Sequence, residues 1–128
     1  MAHGSGAVVL VEDHAELAAY LAERLREHAP VVVFSDAETA LEHIQRENCR
    51  FLISDIGLAG MSGIELCRRV KEDQTLSATP IILISALSSD ANCQAAREAG
   101  ATAFLGKPFS LEALLESMDQ ACSREQPG

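Results

Sequence analysis

Apolar residues recur along this chain as five short runs separated by longer amphipathic stretches. The runs are 7–11, 31–34, 51–54, 80–84 and 102–105, and each reads as a strand. Between them the period changes from continuous to helical. From His14 to about His28, Leu17, Leu21 and Leu25 recur every four residues, as on an amphipathic helix, and Pro30 breaks it. Ser35 or Asp36 can cap a second helix whose buried stripe is Ala37, Ala40, Leu41 and Ile44. A third runs from Ile64 to about Lys71. Ser88, Ser89 and Asp90 resemble the start of a fourth, which Gly100 stops. Phe109-Ser110 opens a fifth carrying Leu111, Leu114, Leu115, Met118 and Cys122.

Five strand–helix units in succession predict a parallel sheet, because parallel strands need crossover helices and are covered by them on both faces. Right-handed crossovers make this an open, doubly wound α/β fold. Ligands of such sheets bind outside the carboxyl ends of the strands, where the winding direction switches. No linker, repeat or low-complexity tract interrupts the pattern.

Composition narrows the picture. A chain of 128 residues favours one domain, and 48% apolar residues argues against disorder. With 4% aromatic residues and no Trp, aliphatic side chains must fill the core. A net charge of −9 argues against direct nucleic-acid contact by this segment. No run approaches the length that spans a bilayer, and the first six residues lack a signal peptide's basic start and apolar region. Residues 1–6 read equally as a cloning remnant or a natural loose tail. Residues 123–128 read as a tail or the start of a linker. Cys49, Cys67, Cys93 and Cys122 form no close pair, and Cys67 falls among core positions. A reducing cytoplasm fits best.

The residues just beyond the runs carry the chemistry. The first run ends in Glu12-Asp13. The third ends in Asp55 and enters a glycine-rich segment, Gly57 to Gly63. The fourth ends in Ser85, and the fifth leads through Gly106 to Lys107-Pro108. Parallel neighbours would bring these groups to one rim. Three carboxylates there repel one another unless a cation neutralises them, and oxygen-only ligation suits Mg²⁺. A hydroxyl, an ammonium and Mg²⁺ together cradle a phosphoryl group, either a ligand's or one covalently attached to an aspartate. Singly, each residue has a plainer reading: a dipole-favoured acid pair, a solvated strand end, a loop cap, a surface lysine.

Taken together, Val11-Glu12-Asp13, Ser54-Asp55, Ile84-Ser85-Ala86 and Gly106-Lys107-Pro108-Phe109 resemble the receiver domain of bacterial two-component response regulators. The likeness covers residues 7–122, which it implies are one flavodoxin-like domain with strand order 2-1-3-4-5. It implies that Asp55 is the phosphoacceptor. It implies that Mg²⁺ is held by Asp13, Asp55 and the Gly57 backbone carbonyl, with Glu12 reaching it through water. Ser85 and Lys107 would hold the phosphoryl oxygens, Phe104 would turn inward as Ser85 moves, and Lys107-Pro108 would be cis. The implied partners are a histidine kinase or histidine phosphotransfer protein, then a downstream effector or fused output domain. The chain would be a cytoplasmic switch, with no enzymatic role beyond its own phosphoryl transfer and dephosphorylation.

Some positions depart from the family pattern. Ala59 stands where receivers usually have proline, so the surrounding glycines should leave that loop unusually free. Gly57 and Leu87 cannot position an attacking water by a side chain, which favours a long-lived phosphoryl group. Thr102-Ala103, and the lack of arginine from Leu111 to Cys122, argue against the charged dimer that some receivers form. Other functions fit less well. Aspartyl phosphohydrolases carry a second Asp where Gly57 stands, and Glu12-Asp13 would repel the phosphate of a flavodoxin-type cofactor. A phosphorylation-silent interaction module tends to have lost an acid or the lysine, although the altered loop at Ala59 keeps that reading open.

Overall fold

A computed structural model describes residues 6–87 and 89–125. Five strands alternate with five helices: β1 (Val8–Val11), α1 (Ala15–Leu25), β2 (Val31–Phe34), α2 (Ala37–Glu47), β3 (Phe51–Asp55), α3 (Gly63–Glu72), β4 (Ile81–Ser85), α4 (Asp90–Glu98), β5 (Ala103–Gly106) and α5 (Leu111–Glu125). The sheet is wholly parallel in the order β2-β1-β3-β4-β5, the doubly wound arrangement the sequence pattern implies. Every strand lies within one or two residues of its apolar run.

The pleat divides the aliphatic side chains between two cores. Val9, Val11, Leu52, Ile81 and Leu83 face α2, α3 and α4, meeting Ile44, Leu66, Cys67, Val70 and Ala96. Val8, Leu10, Ile53, Ile82 and Ile84 face α1 and α5, meeting Leu21, Leu25 and Leu114. Each fully buried Leu, Ile or Val contributes about 1.5–3 kcal/mol of transfer free energy. Two aliphatic layers therefore hold the sheet without a Trp.

Helix ends follow local chemistry. Asp36 caps α2 by accepting the Thr39 N–H at 2.7 Å. Ser62 and Ser89 cap α3 and α4 in the same way. Gly100, at φ +100°, stops α4, and the Ala101 N–H reaches back to the Ala96 carbonyl. Ser88 and the Cys122 side chain lie outside the described residues.

The chain winds from β1 to β2 in one direction, then returns past β1 to β3, β4 and β5. The switch therefore falls between the carboxyl ends of β1 and β3, where Glu12-Asp13 and Asp55 emerge.

Candidate functional site

Glu12 closes the β1 ladder by donating its N–H to the Phe34 carbonyl at 3.0 Å. Two residues later His14 caps α1, its Nδ1 accepting the Leu17 N–H at 3.3 Å. Asp13 sits exposed between strand end and cap. His14 thus has a structural task beside its solvent exposure.

Glu12 is only 2% exposed and Asp55 7%. The Lys107 ammonium reaches between them, 3.0 Å from Glu12 Oε1 and 3.2 Å from Asp55 Oδ2. It comes from the β5–α5 turn, where Lys107-Pro108 is cis and the Lys107 N–H donates to the Ser85 carbonyl at 2.8 Å. Asp55 Oδ1 accepts the Gly57 N–H at 3.3 Å, and Glu12 Oε2 accepts the His14 N–H at 3.1 Å.

Charge and burial oppose each other here. Burial pushes Glu12 above the usual carboxylate range, and the nearby Asp55 charge adds to this. The hydrogen bonds from Lys107 and His14 compensate only in part. Burial also pulls Lys107 down, but its contacts with Glu12 and Asp55 outweigh that and hold the ammonium above its ordinary value. Carboxylate oxygens of Glu12, Asp13 and Asp55 all lie within 4.8 Å of one another. Glu12 Oε1 is buried and faces the Lys107 ammonium at 3.0 Å. Three converging acids, two of them buried, beside one ammonium fit a hard divalent cation bound through oxygen.

The Ser85 hydroxyl is engaged elsewhere. It accepts the Leu87 N–H at 2.9 Å and donates to the Leu87 carbonyl at 3.1 Å; the Asn92 amide also donates to that carbonyl, at 2.6 Å. Phe104 is half-buried and packs against the α4-side core. Glu12, Asp13, Asp55 and Lys107 therefore converge, while Ser85 lines the same rim with its hydroxyl held in its own turn.

The segment 57–63 is more tethered than its glycines suggest. Leu58 is buried in the core, and Met61 packs against that core. The Met61 N–H donates to Glu38 of α2 at 2.8 Å. Gly63 is required for close approach: a Cβ there would stand 2.1 Å from the Asp55 carbonyl oxygen. The sequence pattern suggests loop freedom at this glycine, whereas it is the first residue of α3, pressed on the backbone of Asp55. Nothing in a lone Gly63 distinguishes these roles. Gly57 is open, with nothing within 4 Å of an added Cβ. His43 packs half-buried against the Phe34 ring at 5.2 Å, and His28 is exposed.

Residues 8–119 match the family model described as the response regulator receiver domain. Response regulator ArlR of Staphylococcus saprophyticus is 32% identical over 121 residues, covering 94% of this chain and 53% of ArlR. The chain thus spans about half the length of that relative. Chemotaxis protein CheY of Pseudomonas aeruginosa is 27% identical, with 91% of this chain and 96% of CheY covered. Among solved structures, the BeF3-activated receiver domain of DrrB from Thermotoga maritima superposes with a TM-score of 0.82. It is 31% identical, and the match covers 91% of this chain and 97% of that one.

Proposed function

The chain belongs to the response regulator receiver domain family, and from that premise we propose that it is a phosphorylation-dependent switch whose Asp55 accepts a phosphoryl group. The donor is a phosphohistidine on a histidine kinase or histidine phosphotransfer protein. The observation that carries this reading is the convergence of three carboxylates within 4.8 Å, with the Lys107 ammonium 3.2 Å from Asp55.

Asp13, Asp55 and the Gly57 carbonyl would hold Mg²⁺, with Glu12 reaching it through water. Bound there, the ion neutralises the clustered carboxylates and the incoming phosphoryl oxygens. An Asp55 carboxylate oxygen bonds to phosphorus as the phosphorus–nitrogen bond breaks. The donor imidazole departs with that electron pair, leaving an acyl phosphate on Asp55. Lys107 exchanges its contact with the Asp55 carboxylate for one with a phosphoryl oxygen. Ser85 leaves Leu87 to donate to a second phosphoryl oxygen, and Phe104 turns further inward. Those movements bias the surface of α4, β5 and α5 between two states. Downstream effectors, or an output domain fused beyond this segment, read that surface in the cytoplasm. Hydrolysis is slow, because neither Gly57 nor Leu87 offers a polar side chain to orient water.

The domain is 7–122 in this reading, although α5 itself continues to Glu125. The acid set and Lys107 are complete, which weighs against the phosphorylation-silent alternative that Ala59 keeps open.

Incubation with a small phosphodonor and Mg²⁺, read by intact mass, tests the proposal. One phosphoryl adduct should form, requiring Mg²⁺ and absent from Asp55→Asn. No adduct, or one that persists in that variant, overturns it.

A further inference from the structure

We propose that Glu38, on the first turn of α2, is a positioning residue that sets the Mg²⁺ affinity of the site by holding segment 57–63 in place. The proposal rests on the Mg²⁺ reading above. Glu38 lies 23 residues from Met61 in sequence, yet its Oε2 accepts the Met61 N–H at 2.8 Å. That same oxygen would be 2.5 Å from a Cβ at Gly60, whose φ is +76°. Gly60 is glycine because the turn needs left-handed backbone, and a side chain there would push the Glu38 carboxylate aside.

An acid in the first turn of a helix is ordinarily explained by the helix dipole. That explanation requires no partner on another element and no glycine beneath the carboxylate, and both are present. Among the described residues, the other hydrogen bonds of 57–62 stay local, to Asp55, Ile56 and the first turn of α3, such as Gly57 to Asp55 and Leu58 to Ile56. Glu38 supplies the hydrogen bond from outside. The loop carries Ala59 rather than a ring-locked residue, so its backbone order depends on such a tie. The Gly57 carbonyl can serve a cation only if this backbone is already in place; otherwise binding must also order the loop.

Calorimetric Mg²⁺ titration of wild type, Glu38→Ala and Glu38→Gln, with amide exchange at Met61, tests the proposal. Glu38→Ala should weaken Mg²⁺ about five-fold, the worth of one ordinary hydrogen bond, and speed exchange at Met61. Glu38→Gln keeps an oxygen acceptor and should stay within about two-fold of wild type. Faster Met61 exchange in Glu38→Ala with unchanged Mg²⁺ affinity overturns the proposal, leaving Glu38 a structural tie. Equal weakening in both variants also overturns it, because charge rather than the hydrogen bond would then be acting. Wild-type protein that takes up no Mg²⁺ overturns the metal reading together with this one.

Discussion

Gly63→Ala is a small change whose sign depends on where α3 begins. Helix propensity favours alanine over glycine by about 0.5–1 kcal/mol. Against that, the new Cβ would lie 2.1 Å from the Asp55 oxygen, 2.9 Å from the Asp55 carbonyl carbon and 3.0 Å from Ile56 Cα. All three obstacles are backbone, so no rotamer change relieves them. The helix start must retreat until the nearest contact exceeds 3.0 Å. This stretches the Gly63 N–H to Ile56 carbonyl bond, now 3.1 Å, and disturbs the carbonyl that accepts the Ser54 hydroxyl at 2.9 Å. Overpacking of this kind costs about 3 kcal/mol or more, so the clash outweighs the propensity gain by about 2 kcal/mol. For a domain of this size that is a fall in Tm of about 8 °C. Urea and thermal unfolding measure this loss directly. The displaced backbone also carries Asp55, the proposed phosphoacceptor, and a misplacement near 1 Å slows a positioned reaction by about a hundredfold. The rate of Asp55 phosphorylation from a small phosphodonor should fall accordingly. Wild-type stability together with a wild-type rate would show that α3 starts without pressing on the Asp55 backbone.

Other outcomes are expected from the same geometry. Because Glu12 is held above the usual carboxylate range, the folded protein binds more protons than the unfolded chain from its ordinary value of 4.5 up to the folded one. Stability from this group is thus lost as pH rises through that window. In chelator, Glu12→Gln should gain on wild type in Tm as pH rises from 4.5 to 7; a gap that moves the other way shows that the Lys107 pair dominates. Burial pushes the thiols of Cys49 and Cys67 up to about 11, so iodoacetamide near neutral pH should label Cys93, which is partly exposed, before either. Peptide mapping that finds Cys67 labelled first contradicts this. Sizing of the beryllofluoride-treated protein should show no dimer through α4, β5 and α5, since Thr102-Ala103 and the last helix to Cys122 lack the pairing charges. A dimer through that face refutes it.

Most of the fold was legible because buried parallel strands leave continuous apolar runs, and capping residues are local. Asp36, Ser89 and Gly100 needed no tertiary knowledge to mark their helix ends. The rim was legible for a related reason: the order of the strands delivers Glu12, Asp13 and Asp55 to the switch point, and the long Lys107 side chain reaches them from the end of β5. What stayed hidden depends on distance between elements. The Glu38–Met61 bond joins residues from different units, so the glycine-rich segment looks free in sequence. Gly63 carries no trace in sequence of the Asp55 carbonyl beneath it. The bond from Ser85 to Leu87 is a rotamer choice, and composition does not encode rotamers.

Chemical trapping locates the phosphoryl group itself. After phosphorylation with Mg²⁺, borohydride reduction converts an aspartyl phosphate to homoserine, and peptide mass spectrometry then finds the altered residue. Conversion should occur at Asp55 alone. Conversion at Glu12 or Asp13, or an unaltered Asp55 in protein that carries the phosphoryl mass, would contradict the assignment of Asp55 as nucleophile.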